Sequence, residues 1–129
     1  MELRYDIDSS SAHVQITGAG RLSMPAMIAM VDEVAMDPRF RSHFAVIFDI
    51  RAADYTAELN DGDAFVAALK RRDQDFQSRF ALTVPESLHV LAKLFCLLAQ
   101  VSGIDRIQCF TDIEEARKWC GLAKQPPSC

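Results

Sequence analysis

Residues that could perform acid–base chemistry are present, but their spacing does not assemble a catalytic centre. Paired carboxylates occur at three places in the chain: Asp61 and Asp63, Asp73 and Asp75, and Glu114 and Glu115. A hydrolase would need two such groups that face one cleft and differ in pKa. Each pair instead falls at a predicted helix end or on a polar helix face, so we interpret these carboxylates as caps and solvated side chains.

Histidine and cysteine, the usual metal ligands and nucleophiles, are also scattered. The histidines, His13, His43 and His89, belong to different predicted elements and have no acidic or cysteine neighbour at ligand spacing. The cysteines form no C-x-x-C pair: Cys96, Cys109, Cys120 and Cys129. We predict reduced thiols, three in the core and Cys129 exposed at the terminus. With no metal, cofactor or catalytic residue predicted, we expect a non-enzymatic binding domain.

Two glycines stand between a predicted strand and a predicted helix, at Gly18 and Gly20, where phosphate-binding loops also occur. The segment lacks the third glycine of G-x-G-x-x-G and the lysine of a P-loop. We therefore predict a flexible turn there rather than a phosphate site.

Composition limits the remaining classes of function. The chain has 129 residues, of which 50% are hydrophobic and 25% charged, as expected for one globular domain. A net charge of -4 and a pI near 5.3 argue against nucleic acid, because phosphate binding needs concentrated Lys and Arg. We expect no export signal, and the longest apolar stretch, residues 88–101, is shorter than the roughly 20 residues that span a bilayer. A cytoplasmic location is therefore predicted.

The first half of the chain predicts a hairpin, a helix and a central strand. Alternating apolar residues over 3–7 and 13–17 indicate two paired strands. Helical spacing begins after Ser23 and ends at Asp37 and Pro38. The continuous apolar run 44–50 is typical of a strand covered on both faces, whereas 52–60 shows no clear period.

The second half predicts three helices that alternate with two strands. The second helix begins at Asp61, and its predicted apolar side consists of Phe65, Val66, Leu69 and Phe76. Residues 80–84 and 104–110 are predicted strands, with the third helix beginning at Pro85 between them. A capping box at Thr111 to Glu114 predicts the start of the fourth helix, which ends at Gly121.

In chain order these elements are β-β-α-β-α-β-α-β-α. This order predicts an α/β fold with a mostly parallel five-stranded sheet and four helices. We expect a single domain over residues 1–122 and a disordered tail over 123–129.

Three local patterns, together with this order, resemble the SpoIIAA-like branch of the STAS fold, which is named for sulfate transporters and anti-sigma factor antagonists. The patterns are Met36-Asp37-Pro38-Arg39-Phe40, Val46-Ile-Phe-Asp-Ile-Arg51, and Phe110-Thr-Asp-Ile-Glu-Glu-Ala-Arg-Lys-Trp-Cys-Gly121. The last is similar to the family ending F-x-D-x-x-x-A-x-x-W-L-G, with Cys120 in place of Leu. These motifs are structural, so the resemblance implies a fold more than a function.

The resemblance also implies two modes of binding. Anti-sigma antagonists of this superfamily carry a phosphorylated serine in a D-S-S-G motif, but here the corresponding segment, residues 54–63, contains no serine and only Thr56 and Tyr55 as hydroxyls. We therefore expect no phosphoserine switch. SpoIIAA-like proteins further resemble CRAL-TRIO lipid-binding domains, in which an apolar ligand lies between the sheet and a displaceable helix. That resemblance implies a lipid-sized pocket.

Three helices carry more apolar, methionine-rich or basic surface than packing alone requires. On the third helix Val90, Leu94, Leu97 and Val101 form a second apolar stripe, which a neighbouring helix, a second subunit or an apolar ligand could cover. The first helix is rich in methionine, which suits a surface that repacks around varied apolar shapes. On the second helix Lys70, Arg71 and Arg72 follow the apolar side, a pattern compatible with peripheral membrane contact or with a solvated face.

These observations favour a binding domain in which residues 52–75 form a movable cover over an apolar groove. The predicted ligand-binding residues are Phe65, Leu69, Leu94 and Leu97, and the predicted ligand is a lipid or another apolar small molecule. The alternative is a protein-interaction module, either a homodimer through the third helix or a regulatory partner of STAS type.

Overall fold

The computed structural model describes residues 2–122, and the predicted disordered tail and Cys129 lie outside them. The elements follow one another as β1 (Glu2–Asp8), β2 (His13–Leu22), α1 (Met24–Met36), β3 (Ala45–Tyr55), α2 (Asp61–Arg71), β4 (Phe80–Thr83), α3 (His89–Val101), β5 (Ile107–Phe110) and α4 (Ile113–Trp119). A short 3-10 helix, Glu86–Leu88, leads into α3. The predicted order of five strands and four helices is confirmed.

The strands lie in the sheet in chain order, from β1 at one edge to β5 at the other. β1 is antiparallel to β2 and every other neighbouring pair is parallel, so the sheet is mixed and mostly parallel. When successive parallel strands are added to the same side of a sheet, right-handed crossovers place all the connecting helices on one face. As a result α1, α2 and α3 form one layer over the sheet, while α4 packs on the opposite face.

Each face of the sheet has its own core. The larger core lies under α1, α2 and α3 and includes the fully buried Val14 and Val34. The smaller core joins Ile47 of β3 and Ala81 of β4 to Ala116 of α4. Neighbouring residues of β3 therefore point into different cores, which explains why its first six residues are all buried and apolar or acidic.

The predicted turn at Gly18 to Gly20 is wrong, because these residues continue β2. A register shift between Thr17 and Ala19 interrupts the pairing with β3, and pairing then resumes as far as Leu22. Gly18 is buried, and a Cβ at this position would lie only 2.9 Å from the side chains of Leu3 and Leu22. The glycine thus permits close packing at a β-bulge, a role that its sequence context does not distinguish from a turn.

Other boundaries also differ from the sequence predictions, and α3 begins at His89 rather than at Pro85. β3 runs on to Tyr55, because the second half of β2 supplies hydrogen-bonding partners for the stretch that shows no period. Phe76 is buried but lies beyond the last residue of α2. β5 is shorter than expected and begins at Ile107.

The first residues of α1 and α4 follow side-chain caps. Ser23 caps α1 by accepting a hydrogen bond from the Ala26 amide, and the helix ends before Asp37 as predicted. For α4 the predicted cap was one residue too early: the side chain of Asp112, rather than Thr111, accepts a hydrogen bond from the Glu114 amide at 2.8 Å. Either residue can cap a helix, so the sequence alone does not choose between them.

Candidate functional site

A cavity of about 60 Å³ lies between the sheet and the three-helix layer. Phe48 and Leu82 form part of its floor on β3 and β4, and α1 contributes Met27 and Val31. A cavity that holds one water molecule needs a volume of only roughly 10–15 Å³, so this cavity is several times larger than that. Enclosed apolar cavities in other proteins stay free of water and bind small apolar molecules.

The cover of the cavity is α2, which bridges α3 and α1. Phe65 and Leu69 of α2 line the cavity, and the ring centroid of Phe65 lies 5.6 Å from that of Phe95 on α3. Near the start of α2, a Cβ at Gly62 would lie 3.1 Å from the Leu98 side chain, so the two helices approach closely there. The lining residues of α2 make apolar contacts only, whereas its first residue, Asp61, accepts a hydrogen bond from Tyr55 of β3.

At its other end α2 is held to α1 by ion pairs. Arg71 and Arg72 both donate to the carboxylate of Asp32, at 2.9 to 3.1 Å, and Arg72 also contacts Asp75. The hydrogen bond from Arg72 is the main cause that holds the pKa of Asp32 below its ordinary value. These groups are partly exposed, and such pairs contribute only about 0–1 kcal/mol each. The attachment of α2 to α1 is therefore specific but weak.

One lining residue of the cavity is polar, although the surface that the lining presents to the cavity is apolar throughout. Among the described residues that line it, Tyr55 alone carries a hydroxyl, amide or charged group, and its hydroxyl donates a hydrogen bond to the carboxylate of Asp61. The Glu58 amide donates to the same carboxylate oxygen at 2.9 Å. Burial first, then the Asp61 hydrogen bond and the negative charges of Asp61 and Glu58, raise the pKa of Tyr55. The phenol thus stays protonated.

The cavity approaches solvent near the carboxyl ends of the strands. Ile28, Phe65, Leu88 and Leu91 are its half-buried lining residues, whereas Tyr55 at the end of β3 is buried. In open sheets with parallel strands, ligands bind outside the carboxyl ends of the strands. The mouth of this cavity has that position.

The four predicted ligand-binding residues are divided between two places. Phe65 and Leu69 lie together in the cavity lining. Leu94 and Leu97 lie on the outer face of α3, where they are 50% and 54% exposed. The structure therefore does not bring all four to one groove, because the helix rotates the second apolar stripe away from the sheet.

The outer face of α3, defined by Val90, Leu94, Leu97 and Val101, is an apolar surface. Val90 and Val101 are 82% and 74% exposed, so the stripe reaches solvent over its whole length. Of the three covers left open by the sequence, a neighbouring helix is excluded for these four residues within the described part of the chain.

Sequence reasoning missed Tyr55, which lines the cavity, and its buried hydrogen-bond partner Asp61. Tyr55 was placed in a segment without pattern, and Asp61 was interpreted as a helix cap. Asp61 is buried. Acidic residues in the first turn of a helix are usually exposed, so the sequence did not suggest this burial. The available signal was the pairing of a tyrosine with an acid six residues later, across a loop short enough to bring them together.

The remaining sequence hypotheses can be placed as follows. The apolar side of α2 faces the domain, and Arg71 and Arg72 are engaged with Asp32, so membrane contact through this side would require α2 to move. Thr56, the surface hydroxyl of the loop, is exposed. Between residues 2 and 122, no group of three or more His, Cys, Asp or Glu is arranged to hold a metal ion. In the same range, no helix has both the length and the hydropathy to cross a membrane.

No family model matches the chain, and no curated protein matches it significantly in sequence. Solved structures do match it. One is an uncharacterized protein of the DUF3478 family with a SpoIIAA-like fold from Shewanella loihica PV-4, with a TM-score of 0.58, 14% identity and 92% of each chain covered. Another is the anti-sigma factor antagonist SpoIIAA in its unphosphorylated form, with a TM-score of 0.52 and 13% identity, covering 95% of this chain and 99% of that one. The chain described here therefore has a SpoIIAA-like fold.

Proposed function

We propose that this chain is a non-enzymatic binding domain that holds an apolar small molecule between its sheet and α2. The observation that carries the proposal is the cavity, whose lining is apolar except at Tyr55. Transfer of an apolar chain from water into such a space is favourable by about 0.8 kcal/mol for each buried methylene group. Binding here would need no catalytic group.

The cover supports the same proposal. Long apolar ligands need more room than about 60 Å³, so the cavity must expand to take them. The C-terminal part of α2 is suited to such movement, because partly exposed ion pairs hold it to α1, whereas the buried hydrogen bond from Tyr55 to Asp61 holds the start of the helix to β3. Met24 and Met27 line the opposite wall, and flexible thioethers repack readily around a guest. Binding of a lipid, as in CRAL-TRIO domains, stays a prediction.

A test should use an uncharged probe, because it measures apolar fit alone. We expect 1-octanol, at about a hundredfold excess over its Kd, to raise the Tm by about 5–10 °C. The matched control is Ala92→Leu, which fills the cavity from α3 at a buried position and should abolish the shift. An equal shift in both proteins, or no shift in either together with no apolar molecule in an organic extract of the purified protein, would overturn the proposal.

A second candidate function is self-association through the outer face of α3. Four large apolar side chains are each at least half exposed there, and soluble monomers rarely expose a continuous apolar stripe without a binding role. If this second function is correct, the chain acts as a homodimer in a regulatory or interaction role. Light scattering should then report a dimer for the native chain and a monomer for Leu94→Glu. Gln108→Glu, an exposed change on β5, is the control and should remain dimeric. A native monomer would exclude the candidate.

A further inference from the structure

Two cysteines from different elements meet where α3 packs on β5. Cys96 of α3 is buried, and Cys109 of β5 is half-buried. Both side chains belong to the larger core, and their thiols lie within hydrogen-bonding reach of each other. No C-x-x-C spacing marks this pair, because the fold rather than the local sequence brings the two sulfurs together.

The packing of α3 on β5 accounts for the meeting of the two thiols. Gln100 lies one helical turn after Cys96, and its Nε2 donates a hydrogen bond to the Ile107 carbonyl oxygen at 3.2 Å. Ile107 in turn precedes Cys109 by two residues in β5. Because α3 connects the parallel strands β4 and β5, it runs antiparallel to them. Four residues of a helix and two residues of a strand both advance by about 6 to 7 Å, so the register that pairs Gln100 with Ile107 also pairs Cys96 with Cys109.

The two thiols differ in their environment. Burial raises the pKa of Cys96 to about 12. Burial also raises the pKa of Cys109, but the hydrogen bond that Cys96 donates and the positive charge of Lys93 act in the opposite direction. Cys109 is therefore the thiol that ionises first and that a small oxidant reaches first, with Cys96 held beside it as the second sulfur.

We propose that Cys109 and Cys96 form a site of reversible oxidation, at which a peroxide converts the two thiols to a disulfide between β5 and α3. The sulfur of Cys109 attacks one peroxide oxygen, the O–O bond breaks, and a sulfenic acid and one water form. The sulfur of Cys96 then displaces the hydroxyl of the sulfenic acid, which leaves as a second water while the S–S bond forms. The two thiols lose two hydrogen atoms and two electrons in total, and the peroxide is reduced to two waters.

The disulfide would fasten α3 to the edge of the sheet. It closes a loop of 14 residues, 96–109, within one supersecondary unit. We expect the cross-linked protein to have a Tm about 5–10 °C above that of the reduced protein. The neighbour of Cys96 in α3, Phe95, lines the cavity, so oxidation also restrains one wall of the cavity. Cys120 packs in the smaller core on the opposite face of the sheet and does not compete for either sulfur.

Peptide mapping tests the proposal directly, because trypsin places the four cysteines in four different peptides. The native protein is treated with hydrogen peroxide near pH 8 until the free peptide 107–117 is consumed, blocked with iodoacetamide and digested. We expect peptides 94–106 and 107–117 to be joined, in at least about tenfold excess over any other cysteine pair, and to separate on reduction with dithiothreitol. The same treatment in urea should give mixed pairs.

Three variants identify the two sulfurs. Cys109→Ser, at the half-buried position, should form no cross-link and should leave Cys96 as a free thiol. Cys96→Ala should instead carry Cys109 on to the sulfinic acid, because no second thiol is near. Cys120→Ser is the matched control and should form the cross-link as the native chain does.

Three results would overturn the proposal. One is sulfinic acid on Cys109 of the native protein in place of the cross-link. Another is persistence of both free thiols after an exposure about tenfold longer than the sample in urea needs. The third is a Tm of the cross-linked protein below that of the reduced protein, since the contact between α3 and β5 would then not accommodate the bond.

Discussion

The aromatic rings of Phe65 and Phe95 lie 5.6 Å apart between centroids and are tilted by 37°. A side chain of α2, the cover, thus packs on a side chain of α3. Both rings line the same cavity. Phe95 is buried whereas Phe65 is half-buried, which identifies α2 as the more exposed partner of the contact. Opening of the cavity at this contact separates two rings and breaks no hydrogen bond between them.

The ion pairs at the other end of α2 should control its mobility more than the stability of the domain. Asp32→Asn weakens the contacts with Arg71 and Arg72, which are partly exposed, and we expect it to lower the free energy of unfolding by no more than about 1 kcal/mol. Hydrogen exchange of the α2 amides, residues 61–71, should nevertheless become faster than in the native chain.

The control for this experiment is Glu33→Gln, which changes the neighbouring exposed carboxylate on α1. It should leave exchange in α2 as it is in the native chain. Equal exchange in Asp32→Asn and Glu33→Gln would show that the ion pairs do not hold the cover.

Gly18 should be among the least replaceable glycines. In Gly18→Ala the new methyl group would lie 2.9 Å from Leu3 and Leu22 and 3.2 Å from Ile50, so the core around the β-bulge must shift. We expect a loss of about 1–3 kcal/mol in chemical unfolding, the usual cost of overpacking. Gly62→Ala, whose Cβ meets only the flexible end of Leu98 at 3.1 Å and α3 ring atoms at ordinary distance, should change stability by less than about 1 kcal/mol. Equal losses would contradict the packing role of Gly18.

Acid should destabilise the domain partly through Asp37. Hydrogen bonds from Arg39, and then from Tyr5 at 2.8 Å, hold the pKa of Asp37 far below its ordinary value of 3.8. A carboxyl whose pKa is lowered on folding contributes stability above its unfolded pKa, and that contribution is lost as the pH falls through the folded value. The native chain should therefore be more stable than Asp37→Asn near neutral pH, and the difference should shrink between about pH 5 and pH 2.

Unfolding in denaturant at a series of pH values measures this difference. Tyr5→Phe, which removes one donor and keeps Arg39, should give an intermediate dependence on pH. Curves for the native chain and Asp37→Asn that stay parallel over the whole acid range would rule out the contribution.

Two thiols should be protected by the fold. Burial raises the pKa of Cys96 to about 12 and that of Cys120 to about 11. Because the thiolate is the reactive species, iodoacetamide near pH 8 should label both much more slowly in the native protein than in urea. Peptide mass spectrometry after timed quenching gives the two rates separately. Native labelling of Cys96 at the rate found in urea would show that α3 does not bury it.

Much of the fold could be predicted because its signals are local. The spacing of apolar residues in α1 and α3, the continuous run in β3 and the cap at Ser23 each depend on residues close together in the chain. The extension of β3 to Tyr55 could not be predicted in this way, since its partners are in the second half of β2. The same holds for Gly18, whose neighbours Leu3 and Ile50 are brought to it only by the sheet.

The candidate site was predicted only in part. Apolar spacing identified Phe65 and Leu69 as inward residues of the cover, because one helix face determines both. The same kind of spacing identified Leu94 and Leu97 as apolar but could not say what covers them, since that depends on the crossing of α2 over α3. The hydrogen bond between Tyr55 and Asp61 could not be predicted, because it requires the folded loop between them.

The central claim, an apolar ligand between the sheet and α2, is tested most directly by methyl chemical shifts during titration with 1-octanol. The methyl groups of Ile28, Val31 and Leu91 line the cavity, while those of Leu97 and Val101 lie on the outer face of α3. The cavity methyl groups should shift in a saturable manner while the outer-face methyl groups stay in place. Saturable shifts confined to Leu97 and Val101, or none at either place, would contradict the claim.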